Sequence, residues 1–166
     1  GGMAALEEAE ASVGPGATEA SGVLRLSSTP AFARRRLAPL MADFMARNPG
    51  LRVEFVLAAT PPDLFEQQID VSFQSGNIPD STLVARRIST ARWRLCASPA
   101  YLKKHGTPRT PHELTRHNCI GIRQGEEAYG TWRLTHGRGR QAVTEAVKTR
   151  GNLTTNDGEI AVNWAL

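Results

Sequence analysis

The 166-residue chain lacks the features that mark membrane and exported proteins. Its apolar runs are all shorter than the roughly 20 residues that a membrane-spanning helix needs. The first ten residues carry acidic groups where an export signal carries basic ones, and they contain no apolar segment. Two cysteines, Cys96 and Cys119, are too few for a disulfide framework, and their strand-like apolar surroundings predict two reduced core residues. We therefore expect a cytoplasmic protein.

Recognisable catalytic, metal and cofactor motifs are also missing from the sequence. The four histidines show neither the i, i+4 spacing of a helical zinc pair nor a neighbouring Cys-x-x-Cys motif. The nearest approach to a ligand pair is His117-Asn118-Cys119, which a core cysteine beside a surface histidine explains. No Gly-x-Ser-x-Gly elbow, phosphate-binding loop or dinucleotide fingerprint occurs. We expect no catalytic residue, no metal site and no cofactor, and hence no enzyme.

Positive charge is in excess but is not concentrated in one segment. The formal net charge is +4, with lysine and arginine spread along the whole chain. Arg34–Arg36 and the Gly137–Arg140 stretch are the two short basic clusters, and neither has interleaved aromatic residues on which bases could stack. The pattern favours solvated surface over a nucleic-acid site for both clusters.

The pattern that organises the chain is a strand leading directly into a helix. Leu24 and Leu26 alternate with a polar residue as in a strand, and later apolar residues recur with helical spacing: Leu37, Leu40, Met41 and Phe44. Between them lies Ser27–Thr29, where hydroxyls and helix N–H groups can hold a small anion. The same residues are commonly plain helix caps, with Pro39 marking the first helical turn, so both interpretations stay open.

The first half of the chain reads as alternating strands and helices. Strands are predicted at 51–57, 69–73, 83–88 and 93–97, with a short helix from Thr60 to Gln68. Strand, helix, strand, helix, strand with short connections predicts a parallel sheet covered on both faces. Upstream, residues 3–13 have a short helical pattern and residues 14–22 have linker composition.

The second half changes character near residue 98. A helix is predicted from Ser98 to Gly106, and a capping box with proline at the first helical position follows at 110–113. Further elements are predicted by local signals: a strand at 118–122, a hairpin of 131–134 with 142–147 turning through 137–140, and a helix capped at 155–159.

Small polar residues recur at predicted strand ends and helix starts. They are Ser28, Thr29, Thr60, Ser75, Gly76, Ser98, Thr155 and Asn156. In open α/β sheets, ligands lie outside the carboxyl ends of the strands, so these residues can converge on one cleft. Each is also a plausible cap or turn residue. Together they favour a binding module for a small polar or anionic ligand.

Five stretches, in this order, resemble the effector-binding domain of LysR-type transcriptional regulators, and the resemblance runs from residue 22 to residue 166. They are Leu37-Ala-Pro-Leu-Met-Ala-Asp-Phe-Met-Ala-Arg-Asn-Pro49, Ile69-Asp-Val-Ser-Phe-Gln-Ser-Gly76, Leu95-Cys-Ala-Ser-Pro-Ala-Tyr-Leu102, Gly106-Thr-Pro-Arg-Thr-Pro-His-Glu-Leu114 and Thr155-Asn-Asp-Gly-Glu159. The resemblance implies an α/β, two-lobed fold similar to type 2 periplasmic binding proteins. Lobe I would span 22–97, lobe II 98–166, and residues 1–21 would be the end of a linker helix and linker.

The resemblance also implies an effector cleft between the lobes. Its contacts would match Ser28, Thr29, Thr60, Ser75, Gly76, Ala97, Ser98, Thr155 and Asn156. Many relatives carry arginine where this chain has Gln74, which implies a less cationic cleft. The C-terminal part of lobe II is expected to lie outside this sequence, because the segment that follows the last helix in the family has no counterpart here.

The implied function is that of a ligand-sensing domain. Such a domain binds a small metabolite as effector, expected here to be anionic, and transmits binding to an N-terminal winged helix-turn-helix, outside this sequence, that binds DNA. The implied assembly is a homodimer or homotetramer. The alternative is a solute-binding protein of a transporter, which shares the fold but needs an export signal.

Overall fold

A computed structural model describes residues 20–76, 78, 81–123 and 130–166 of the chain. These residues form two compact units, the first ending at Arg92 and the second beginning at Trp93. Within these described ranges, no helix is long and apolar enough to cross a membrane. The helix predicted at residues 3–13 lies outside the described residues, and the lobe boundary between residues 97 and 98 stays a prediction.

A three-stranded parallel sheet forms the centre of the first unit, as the alternating pattern predicts. Strand β1 (Gly22–Ser28) lies in the middle, with β2 (Leu51–Leu57) on one side and β3 (Val71–Ser72) on the other. Leu26 in β1 pairs with Phe55 in β2 and with Val71 in β3. The sheet therefore buries apolar side chains from all three strands on the same face.

That face carries the core of the first unit. Its members are Leu24, Leu26 and Val71, all buried, with Phe44, Val53, Phe55 and Phe73 packed against them. On the opposite face, Val23 is 49% exposed, and the Arg25 guanidinium pairs with Glu54. On that same face Ser27 is 1% exposed and Ser72 is half-buried, so the face is partly covered, and the prediction of a sheet covered on both faces stays a prediction.

A continuous helical segment follows β1 and changes its hydrogen-bonding pattern along its length. It begins with an α-helical turn, α1 (Pro30–Phe32), passes through a π-helical stretch (Ala33–Leu37) and continues as α2 (Ala38–Arg47). In the π-helical stretch the Ala38 N–H donates to the Ala33 carbonyl, five residues earlier. Proline at position 39 has no N–H to continue the α-helical pattern, which explains the interruption. Helical backbone thus begins directly after Thr29, and Pro39 marks only the first turn of α2.

The predicted helix between Thr60 and Gln68 is a single capped turn. The Asp63 carboxylate accepts hydrogen bonds from two backbone N–H groups at its start. At its end, Ile69 N–H donates to Leu64 O, and Gln68 has a φ of +52°. This 6→1 hydrogen bond with a left-handed residue is a Schellman closure, so the chain turns away before a second helical turn forms.

Two predicted strands, 83–88 and 93–97, are absent. Residues 81–98 have no regular secondary structure, and five large apolar side chains there are exposed: Leu83, Val84, Ile88, Trp93 and Leu95. Their apolar pattern suits a strand, but none of the described residues pairs with them in a ladder. Cys96 lies in this stretch and is exposed, so its predicted place in a core is wrong, whereas Cys119 is buried as predicted.

The second unit begins with two short helical elements in the predicted places. Helix α3 (Pro99–His105) starts after Ser98, whose hydroxyl accepts from the Tyr101 N–H, and ends at Gly106 with φ of +83°. A 3₁₀-helix (Pro111–Arg116) follows, and the predicted capping box with proline at its start is present.

Two small sheets complete the second unit. Strand β4 (Gly121–Ile122) runs parallel to β7 (Thr154–Thr155), so the strand predicted at 118–122 is shorter than expected. The predicted hairpin is confirmed and longer, pairing β5 (Thr131–His136) with β6 (Val143–Lys148). Helix α4 (Gly158–Ala165) follows, with Asp157 as its N-cap. The core of this unit is Leu114, Cys119 and Val147, with Trp132 and Leu134 packed against it.

The capping box makes a pH-dependent contribution to stability. Backbone hydrogen bonds from Arg109 and Thr110 lower the pKa of Glu113 below its usual 4.5. A carboxylate with a lowered folded-state pKa stabilises the fold above its unfolded pKa, and the contribution is lost as pH falls through the folded value. We expect Glu113→Gln to reduce the loss of thermal stability between pH 5 and more acidic conditions, measured by circular dichroism melts, roughly in proportion to that shift. An equally steep acid loss in the variant would contradict this assignment.

Candidate functional site

The carboxyl ends of three parallel strands meet at one edge of the first unit. Ser28 is the last residue of β1, and the Ala58 N–H just after β2 donates to the Ser28 carbonyl at 3.1 Å. Just after β3, the Phe73 N–H donates to the Ser27 carbonyl at 2.8 Å. The segments that carry the predicted site residues of this unit therefore all leave the sheet beside the end of β1.

At this edge the hydroxyls of Ser28 and Thr29 have different roles. Ser28 is 4% exposed and its hydroxyl donates to the Thr29 carbonyl at 2.9 Å. Thr29 occupies the N-cap position of the helical segment, but its side chain makes no capping hydrogen bond. The first N–H groups of a helix have no intrahelical acceptor, so at this N-terminus they lack the side-chain cap that the position would allow.

A buried pair of serines lies behind the edge. The Ser27 hydroxyl, 1% exposed, hydrogen-bonds the Ser72 hydroxyl at 2.7 Å across the β1–β3 pair. The Gln74 side-chain amide then donates to the Ser72 oxygen at 3.0 Å. This chain of hydrogen bonds orients Gln74 at the sheet edge. Sequence reasoning missed the serine pair, because its members are 45 residues apart and meet only through the strand register.

The remaining predicted site residues of the first unit lie in exposed backbone after the strands. Thr60 is exposed in the bend that follows β2. Ser75 and Gly76 follow β3 and are also exposed, and Gly76 has φ of +86°, which glycine adopts without strain. The segments that carry these three residues leave the sheet beside the end of β1. Their role as effector contacts stays a prediction.

The other predicted contacts belong to the second unit. Ala97 and Ser98 are half-buried at the start of α3, where Ser98 serves as its N-cap. Thr155 ends β7, and its hydroxyl accepts from the Asp157 N–H at 3.0 Å, which leaves the exposed Asn156 at the turn into α4. Ser98 and Thr155 thus have structural hydrogen bonds of their own. That they share a single cleft with the first unit stays a prediction.

The buried cysteine of the second unit, Cys119, is poorly suited to act as a nucleophile or as a metal ligand. Burial raises the pKa of the Cys119 thiol above 9.0, and only a nearby Arg150 opposes the shift. A thiol held in its neutral form is a poor nucleophile and metal ligand. No group of three or more histidine, cysteine or acidic side chains within the described ranges is placed to hold a metal ion.

The chain matches the protein family described as "LysR substrate binding domain" over residues 17–166. Among curated proteins it is 33% identical over 150 residues to the HTH-type transcriptional activator TtdR of Escherichia coli, covering 90% of this chain and 47% of that protein. It is 34% identical over 139 residues to the HTH-type transcriptional regulator CrgA of Neisseria meningitidis, covering 84% and 44%. The chain thus spans about half the length of the curated relatives it matches.

Solved structures lead to the same family. The CrgA regulatory domain of Neisseria meningitidis matches with a TM-score of 0.72 and 33% identity, covering 87% of this chain and 68% of that one. The full-length structure of AphB, a Vibrio cholerae virulence activator, matches with a TM-score of 0.73 and 27% identity, covering 98% and 53%. The α/β, two-lobed fold similar to periplasmic binding proteins is confirmed by this likeness. The chain belongs to the LysR substrate-binding domain family.

Proposed function

We propose that this chain is the effector-binding domain of a LysR-type transcriptional regulator. It binds a small anionic metabolite and transmits binding to a winged helix-turn-helix that contacts DNA. The family match over residues 17–166 carries the proposal, and relatives named as transcriptional regulators favour it over a solute-binding protein of a transporter. As part of such a regulator it acts in the cytoplasm, as a homodimer or homotetramer, and without catalysis.

The edge of the first unit supports an anionic ligand. The helix that begins at Pro30 is uncapped by the Thr29 side chain, so its first N–H groups and its dipole face this edge without a competing acceptor from that residue. Neither Thr29 nor Thr60 uses its hydroxyl in a hydrogen bond within the part of the chain that the structure describes. Both hydroxyls are therefore available to a ligand carboxylate.

The neutral Gln74 amide supports a ligand that also carries a hydrogen-bonding group. Its N–H donates to Ser72, which leaves the amide oxygen to accept from a hydroxyl or amine. We propose that the effector combines one anionic group, held at the start of the helix, with a neutral polar group beside Gln74. Ala97, Ser98, Thr155 and Asn156 supply the contacts from the second unit.

The test is hydroxyl removal at the two unbonded threonines. A panel of small mono- and dicarboxylates, with and without hydroxyl groups, is first titrated by calorimetry to find a binder. Thr29→Val and Thr60→Val are each expected to weaken its binding by about tenfold, because a lost hydrogen bond to a charged group is worth about 1.4 kcal/mol or more. The melting temperature should remain nearly unchanged, because neither hydroxyl supports the fold.

Thr107→Val is the matched control, since Thr107 is exposed in a loop of the second unit outside the predicted site. It should bind as tightly as the unmodified chain. Ser28→Ala is a less selective probe, because the buried Ser28 hydroxyl already serves the backbone at Thr29. Unchanged affinity in both threonine variants would show that the ligand does not lie at this edge.

A further inference from the structure

The β5–β6 hairpin presents one face to the core and one face to solvent. Trp132 and Val147 form a cross-strand pair on the inner face and pack with the core of the second unit. On the outer face, Thr131 pairs with Lys148, and Arg133 pairs with Ala146. All four of these outer residues are exposed.

The outer face is cationic and hydroxylated. Thr135 and Thr144 continue it toward the tip, with their hydroxyls 2.8 Å apart. Its positions on the two strands include no carboxylate, because the only acidic residue of the strands, Glu145, pairs with Leu134 on the inner face and makes its ion pair with His136. No large apolar side chain occupies an outer position on either strand.

Two further arginines extend the charge beyond the strands. Arg138 and Arg140 are exposed at the tip, where a short 3₁₀-helix (Gly139–Gln141) closes the hairpin. Gly137 has φ of +85°, and a Cβ there would meet the Gln141 carbonyl, so the tip has a tight backbone geometry. The four cations, Arg133, Arg138, Arg140 and Lys148, make no ion pair within the described residues.

We propose that this outer face is a second DNA-contacting surface, which binds the phosphate backbone of duplex DNA without reading its sequence. Successive outer positions along a strand are about 7 Å apart, so Thr131, Arg133 and Thr135 form a row of three hydrogen-bond donors on β5. Arginine, lysine and threonine are common donors to phosphate oxygens. The face lacks the apolar side chains that insertion into a membrane needs and the aromatic side chains that stacking of single strands needs.

Duplex DNA is favoured over other polyanions by the proposed function. A regulator bound to its operator holds this domain beside DNA, so even weak contacts act at high local concentration. The sequence pattern alone favoured solvated surface for residues 137–140. The register changes that interpretation, because it places Arg133 and Lys148 on the same exposed face.

The experiment measures binding of the 166-residue chain to a fluorescent duplex of arbitrary sequence by anisotropy, over a series of salt concentrations. The hairpin variant replaces Arg133, Arg138, Arg140 and Lys148 with glutamine. We expect it to bind about tenfold or more weakly at low salt, with a log Kd against log salt slope shallower by about 3. The control variant removes equal charge from exposed arginines of the first unit, replacing Arg35, Arg36, Arg52 and Arg87 with glutamine.

The control variant should keep its affinity within about threefold. Equal weakening of DNA binding in both variants would overturn the proposal, because it would show a general effect of net charge. Failure of the unmodified chain to bind the duplex at low salt would also overturn it. Carboxylate binding is measured on the same proteins and should be unchanged by the hairpin variant. The DNA-binding measurement therefore tests the hairpin surface, whereas the carboxylate-binding measurement tests the proposed effector site.

Discussion

Replacing Leu26 with alanine is expected to destabilise the first unit by about 3 kcal/mol. Leu26 is 4% exposed in the central strand, with Phe55 and Val71 paired on either side. Truncation removes apolar burial and leaves a cavity that two flanking strands cannot easily fill, since both are held by the β1 hydrogen bonds. The position also lies two residues before Ser28, so a loosened strand would displace the proposed effector edge.

The measurement is thermal and denaturant unfolding combined with hydrogen exchange. The melting temperature should fall by roughly 10 °C for a chain of this size, and amide exchange should accelerate in β1, β2 and β3. Leu40→Ala is the matched control, because Leu40 is 62% exposed in α2 and its truncation should change stability by about 0.5 kcal/mol or less. Similar losses in both leucine variants would argue against a core centred on β1.

Replacing Gly151 with alanine is expected to destabilise the second unit by a comparable amount, about 3 kcal/mol. A Cβ at this position would overlap the Cys119 carbonyl oxygen and lie 3.0 Å from the Asn118 side-chain oxygen. Neighbouring hydrogen bonds hold the 118–119 and 150–152 segments together, from Cys119 N–H to Arg150 O at 2.9 Å and from Asn152 N–H to the Asn118 side chain at 3.1 Å. The added methyl group therefore has to displace the Cys119 backbone, which cannot move aside as a flexible side chain can.

Gly158→Ala provides the control for the glycine variant. Gly158 begins α4, and a Cβ there would meet nothing within 4 Å. Alanine should be neutral or slightly stabilising at this position, because it lowers the entropy of the unfolded chain. Equal melting temperatures for Gly151→Ala and Gly158→Ala would contradict the close approach of residue 151 to the Cys119 carbonyl.

Elements with local signals could be predicted from the sequence. The capping box at 110–113 and the glycine end of α3 are set by residues adjacent in the chain, and both occur where predicted. The β5–β6 hairpin is similar, because alternating residues flank a glycine-containing turn. The parallel sheet followed from the order of elements and short connections.

Features that depend on a distant partner could not be predicted from the sequence. The stretch at 83–88 has the composition of a strand, yet a strand forms only where another strand accepts its hydrogen bonds. The same reason explains the exposure of Cys96. The Ser27–Ser72 pair behind the effector edge depends on the register of β1 against β3, which no local pattern contains.

Locating a bound small molecule tests the central claim most directly. The ¹⁵N-labelled chain is mixed with the low-molecular-weight fraction of a bacterial extract, and amide chemical shifts are compared before and after, with the bound species identified by mass spectrometry. We predict shift changes concentrated at 28–29, 58–60 and 73–76, with a second set at 97–98 and 155–156. Changes confined to other surfaces, such as 131–148, would contradict an effector site at the carboxyl ends of the strands.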